Sequence, residues 1–203
     1  MKLHSVLFAL LLSFGSMTHA QSEPSYEATL AFIQEKLNTH RTYSDHTSMQ
    51  NFVELERCMF AFVQSHSDPE REVFIHLIDP INVDPSRVTV WTPNDGNLQV
   101  EINARRSERI LPIYYMYNKK KPPFIDPYSR TSCETPERSA LYMNPRISAL
   151  IAIPQTDRMC NDRLAKLDRF SFGGMVAPQN DAPRVVRAMS HLLRICGGRE
   201  ELF

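Results

Sequence analysis

The first twenty residues constrain everything after them, because they read as an export signal. Lys2 supplies a positive start, residues 6–12 (VLFALLL) form a short apolar run that Phe14 extends, and Thr18-His19-Ala20 places small residues where a signal peptidase reads. Cleavage is expected after Ala20. The run is too short to span a bilayer as a helix, which takes about 20 residues, and every later hydrophobic stretch is broken by charge or proline. No cysteine follows the cleavage point directly, so no lipid anchor is expected. The expected destination is periplasmic or secreted. Residues 21–203 are expected to be one soluble globular domain without a transmembrane segment.

That address gives meaning to the four cysteines, Cys58, Cys133, Cys160 and Cys196. An even count in an oxidising compartment favours disulfides, with three possible connectivities. Cys133 and Cys160 lie in polar, turn-rich surroundings, and a bond between them would staple a long insertion, worth about 3–4 kcal/mol in the chain-entropy model. Cys58 is then left with Cys196, either bonded to it or one of two buried free thiols. No C-x-x-C or close Cys/His spacing occurs, so no metal is expected.

Removing the leader takes Lys2 from 23 basic residues and leaves 22 against 23 acids, a net charge of −1. A dedicated nucleic-acid binder would normally be basic overall, so nucleic acid is not an expected partner. The charge is nevertheless unevenly spread. Residues 54–95 carry eight acids and three bases, whereas residues 101–130 carry seven bases and three acids. The basic stretch includes Arg105, Arg106, Arg109, Lys119, Lys120 and Lys121, interleaved with Tyr114, Tyr115 and Tyr117. It reads either as a face for an anionic envelope component or acidic partner, or as a solvated face paired with the acidic segment.

Hydrophobic periodicity supplies the elements. Residues 25–38 read as an amphipathic helix capped by Ser25, with Tyr26, Leu30, Ile33 and Leu37 on one face and Asn38 as a stop. Residues 39–50 read as a polar loop. Alternation then puts Cys58, Phe60 and Phe62 on one strand face and Met59, Ala61 and Val63 on the other. Residues 65–71 read as a turn and 73–78 as a second strand, followed by a tight connection between Asp79-Pro80 and Asp84-Pro85. Residues 87–103 form a hairpin in which Val88, Val90 and Thr92 match Leu98, Val100 and Ile102, placing Trp91 on the opposite face. A further strand is expected over 110–117, a polar excursion over 118–138, strand character at 140–143 and 147–153, and a short helix near 157–168. The last helix begins near Ala182 under a cap from Asp181, lines up Val185, Met189, Leu192 and Cys196, and ends at Gly197-Gly198.

The order of a helix, several antiparallel strands and a terminal helix predicts an α+β fold. An antiparallel sheet of about five to seven strands would be packed by an N-terminal and a C-terminal amphipathic helix. On Thr29-Leu30-Ala31-Phe32-Ile33-Gln34-Glu35-Lys36-Leu37, Ile78-Asp79-Pro80 and Arg187-Ala188-Met189-Ser190-His191-Leu192-Leu193, the chain resembles uncharacterised bacterial exported proteins with a pleckstrin-homology-like layout. The resemblance implies a fold and no activity.

The sequence lacks a G-x-S-x-G elbow, an H-E-x-x-H pair, a phosphate-binding loop and a dinucleotide fingerprint, so neither a catalytic residue nor a cofactor is assigned. His66 and Asp68 are the best hydrolase candidates, against which stands the rule that triad members meet in space and not as sequence neighbours. His76 and His191 read as surface or core-edge residues. Trp91 is a binding candidate if exposed, and a covered aromatic otherwise. The expected function is a non-catalytic binding or interaction domain of the cell envelope. The alternatives are a small periplasmic hydrolase and a structural or folding accessory protein.

Overall fold

The computed structural model describes residues 23–42, 44–45, 47–91, 99–104, 113–118, 130–132, 141, 144–161, 169–172 and 181–199. The leader, Arg105, Arg106, Arg109, Lys119, Lys120, Lys121 and Cys133 lie outside them. Helix α1 (Tyr26–Leu37) starts where the side chain of Ser25 accepts from the Ala28 N–H at 3.2 Å, and it buries Tyr26, Thr29, Leu30, Ile33 and Leu37. It stops at Asn38, whose backbone is extended and whose Oδ1 accepts from the Phe52 N–H at 2.7 Å.

Residues 39–50 do not form the expected loop. They hold β1 (Thr39–Thr42) and the start of β2 (Thr47–Glu56), paired antiparallel from Thr39↔Gln50 to Thr42↔Thr47. Polarity misleads here. An edge hairpin needs its backbone bonds and not an apolar face, and the β-branched Thr39, Thr42 and Thr47 favour extended backbone. β2 turns into β3 (Met59–His66) through Arg57 and Cys58. Cys58 is therefore a turn residue with φ of 64°, not the first residue of the strand. The expected alternation holds beyond it, with Phe60 and Phe62 on one face and Ala61 and Val63 on the other, all buried. β3 also runs through Ser65 and His66, which are expected in the turn, because His66 still pairs with Ser48.

β4 (Val73–Ile78) matches its expected bounds. Two short 3₁₀ turns follow, Pro80–Asn82 and Pro85–Arg87. Each has proline in its first position and is capped by the preceding aspartate: Asp79 accepts from the Ile81 N–H at 3.0 Å and Asp84 from the Ser86 N–H at 2.9 Å. β5 (Thr89–Trp91) and β6 (Gln99–Asn103) pair in the expected register, with Val90 opposite Val100 and Trp91 opposite Gln99; residues 92–98 lie outside the described residues. β7 (Ile113–Asn118) follows. β8 (Arg130–Ser132) is a strand inside the stretch read as an irregular excursion.

The next segment departs most from expectation. Residues 147–153 are not a strand. Asn144 caps α2 (Pro145–Ser148) by accepting from the Arg146 N–H at 2.9 Å, proline opens the helix, and the chain continues as turns. Ile147, Ile151 and Ile153 are buried all the same, so the apolar run serves a core without extended geometry. Leu141 is helical, and the other residues of the 140–143 strand lie outside the described residues. At the start of the helix expected near 157–168, β9 (Arg158–Asn161) instead pairs with both β7 and β8; residues 162–168 lie outside the described residues. β10 (Arg169–Phe172), which the sequence reading did not identify, pairs with β6. α3 (Ala182–Ile195) closes the fold, and Gly197 leaves it with φ of 88°, a conformation that penalises a β-carbon.

The result is an α+β fold with antiparallel sheets. The large sheet has the order β1-β2-β3-β4-β7-β9-β8 and the small sheet β10-β6-β5. One face of the large sheet, with Phe52, Phe60, Phe62 and Ile78, packs under α1, α3 and the small sheet. The other, with Ala61, Val63, Val73, Ile75 and Met116, packs under α2 and the turns after it. Arg158 pins those turns: its Nε donates to the Ile153 carbonyl at 2.9 Å and a terminal nitrogen donates to Ser148 Oγ at 3.0 Å. No helix among the described residues is long and apolar enough to cross a membrane.

Candidate functional site

α1 and α3 pack against each other over the large sheet, and an open cleft of about 570 Å³ lies along their junction. The buried stripe of α3 runs through Val185, Met189 and Leu192. Arg184, Arg187, Ala188 and His191 recur at i, i+3, i+4 and i+7 on the adjoining flank and line one wall. Phe32 of α1 lines the other, and Glu23 and Pro24 border it where the chain approaches α1.

Charge in the cleft is graded along its length. At one end Asp181 accepts from Lys36 and from Arg184, both at 3.1 Å. The Lys36 ammonium holds the Asp181 carboxyl below its ordinary pKa, and Asp181 in turn raises that of Lys36. Asp181 precedes α3 but spends its carboxylate on these cations; it makes none of the expected capping bonds. Both cations lie near the Phe32 ring, Arg184 at 5.1 Å and Lys36 at 5.8 Å from its centroid, within cation–π range. One turn further along, Arg187 is exposed and pairs with no acid among the described residues. At the far end His191 Nε2 lies 3.1 Å from the Pro24 carbonyl oxygen. A carbonyl only accepts, so Nε2 carries the proton and Nδ1 is left as the second ring nitrogen.

A second recess, of about 270 Å³ and mainly apolar, opens near the β2–β3 turn between Leu55, Met59, Leu77 and Leu141. Near it, Tyr26 donates to a carboxylate oxygen of Glu54 and accepts from the Cys58 N–H at 3.2 Å, while Arg146 donates to the Glu54 carbonyl. Burial and the bond to Glu54 raise the Tyr26 pKa. Gln34 donates to the Phe52 carbonyl at 3.2 Å and Asn38 accepts from the Phe52 N–H, so side chains occupy the part of the β2 edge that β1 leaves open.

The other expected site residues fall as follows. Cys58 and Cys196 are joined by a disulfide with Cα atoms 5.2 Å apart, tying the β2–β3 turn to the end of α3. Cys160 is fully buried and disulfide-bonded, while Cys133 lies outside the described residues. Trp91 stands in β5 opposite Gln99, and its side chain lies outside the description, as does the whole basic set Arg105, Arg106, Arg109, Lys119, Lys120 and Lys121. The structure does not bring His66 and Asp68 together. His66 ends β3, whereas Asp68 folds its own turn, accepting from the Glu70 N–H at 2.9 Å and facing Arg71 at 3.5 Å. His76 sits beside Phe62 with ring centroids 6.3 Å apart, and burial lowers its pKa to about 4. Among the described residues no group of three or more His, Cys, Asp or Glu could hold a metal ion.

Sequence reading missed Phe32, Arg184 and Arg187 as a group and treated His191 as an isolated core-edge residue. One signal was present: residues 182–195 contain three arginines and no acid. Comparison with protein-family models, curated proteins and solved structures gives no match.

Proposed function

We propose that the chain is an exported, non-catalytic binding domain of the bacterial cell envelope, and that it binds through the cleft between α1 and α3. The observation that carries this reading is Arg187, a guanidinium on the wall of an open cleft with no acid partner among the described residues. A purely structural surface tends to pair or scatter its charges, whereas a cleft of a few hundred Å³ with a few convergent polar groups is the usual form of a ligand site. The composition of residues 1–20 supports export, and the order of helix, antiparallel strands and helix supports the pleckstrin-homology-like layout as part of the same proposal. The hydrolase alternative gains nothing from geometry, because the Asp68 carboxylate is committed to its turn.

The test uses the mature chain as bait for envelope components, beside an Ala188→Trp variant that fills the cleft. Capture by the wild type and its loss in the variant, at equal melting temperature, is the expected result. Capture that survives Ala188→Trp removes the cleft from the proposal. If it then disappears on charge reversal at Arg105, Arg106, Lys119, Lys120 and Lys121, the binding surface moves to the basic segment.

A further inference from the structure

Resting on that reading, we infer that the α1–α3 cleft takes a single anionic group, a phosphate or a carboxylate, carried on a ring-sized apolar body. Four observations converge. α3 carries Arg184, Arg187 and Arg194 and no acid of its own. Within the cleft that charge is differentiated: Asp181 already occupies Arg184 and Lys36, leaving Arg187 as the guanidinium whose donors are uncommitted among the described residues. A guanidinium presents its N–H groups as a planar fork that matches carboxylate and phosphate oxygens. Beside it, Ala188 contributes only a methyl group to the wall.

Phe32 defines the rest of the ligand. Its ring is only partly buried and lines the same cleft as Arg187, so the part of it that Arg184 and Lys36 leave uncovered gives an apolar body attached to the anion an aromatic surface to lie against. The volume of about 570 Å³ accommodates a ring with its substituents. Glu23 supplies the discrimination. Its carboxylate lines the same cleft and so disfavours an extended polyanion more than a ligand with one anionic group. The ligand chemistry is thus one phosphate or carboxylate plus one apolar body, either as a free small molecule or as the exposed part of an anionic lipid.

The experiment follows the amide resonances of Ala188 and His191 in the full mature chain during titration with phenyl phosphate, with inorganic phosphate, with benzyl alcohol, and with phosphatidylglycerol vesicles. The expected result is saturable shifts with phenyl phosphate, weakened at least tenfold by Arg187→Gln and by raising salt from low to half-molar. Phe32→Leu should weaken phenyl phosphate more than inorganic phosphate. Saturation by phenyl phosphate but not vesicles assigns a free ligand, and the reverse assigns a lipid; both uphold the anion site. Benzyl alcohol binding as tightly as phenyl phosphate, with no effect of Arg187→Gln, overturns the anionic inference and leaves the binding proposal standing. Unshifted resonances with all four probes overturn the inference, and the proposal falls with it only if Ala188→Trp also leaves envelope capture intact. Arg187 is exposed, so Arg187→Gln should leave the melting temperature unchanged and its effect readable as binding.

Discussion

The two faces of the large sheet are buried by opposite means. On one, α1 and α3 lay regular apolar stripes over Phe52, Phe60, Phe62 and Ile78, and the Cys58–Cys196 disulfide ties that layer to the β2–β3 turn. On the other, Ile147, Ile151 and Ile153 come from a single helical turn and an irregular segment held by the side chain of Arg158. The first face derives its order from helical periodicity and a covalent tie, the second from a handful of side-chain bonds. The helix-covered face should therefore resist local opening, and the turn-covered face should open first.

The largest way to break this contrast is to remove the tie. Cys58 and Cys196 are 138 residues apart in sequence, and a closed loop of that length is worth about 5 kcal/mol in the chain-entropy model. Replacing both by serine should cost up to that amount in urea unfolding, with amide exchange of α3 accelerating before that of residues 147–153. Faster exchange in 147–153 alone would show that the disulfide is not what distinguishes the two faces.

Acid should weaken the helix-covered face next. His76 pairs across from Phe62 and shares its face, and its pKa falls from 6.5 to about 4 because it is buried. Above pH 6.5 neither state binds the proton. As pH falls below 6.5 the unfolded chain takes it up and the folded chain does not, so stability drops until about pH 4 and then levels. The difference corresponds to about 3 kcal/mol. Urea midpoints at pH 7.5, 5.5 and 4.5 should trace this slope in the wild type, and it should flatten in His76→Gln.

On the turn-covered face, Arg158→Ala removes two charged hydrogen bonds from a side chain that is only 9% exposed. A loss of about 2 kcal/mol is expected, with exchange rising in residues 148–157 and α1 unaffected. An equal rise in α1 would mean that the two faces open as one unit.

The contrast also explains what could be read from the chain. α1 and α3 were legible because Ser25, Gly197 and the i, i+4 apolar spacing each impose one geometry. The β5–β6 register was legible because Val90 and Val100 must share a buried face. Residues 147–153 were not, since a short run of isoleucine, leucine and alanine fits a buried strand or a buried turn equally well, and Asn144-Pro145 decides for the turn. Residues 39–50 failed for the converse reason: threonine-rich polar sequence makes an edge strand as readily as a loop. Of the candidate cleft, each wall was legible as a helix, but the convergence of Phe32 with Arg187 depends on how two helices pack, which no local pattern encodes. The cap of α1 belongs to the legible part. Ser25→Ala deletes one cap bond and should cost about 1 kcal/mol, measurable as a small fall in melting temperature with no change in exchange on the turn-covered face.

The turn at Cys58 has a consequence for the birth of the molecule. Its φ of 64° is a backbone state that a residue with a β-carbon resists by about 1–2 kcal/mol, and the partner sulfur that helps fix it arrives 138 residues later. Cys133 and Cys160 lie between Cys58 and Cys196 in sequence, so a chain that enters an oxidising compartment amino end first presents them to Cys58 before Cys196. A thiol–disulfide isomerase that corrects a mispaired bond would then raise the yield of native protein without altering the stability of the finished fold.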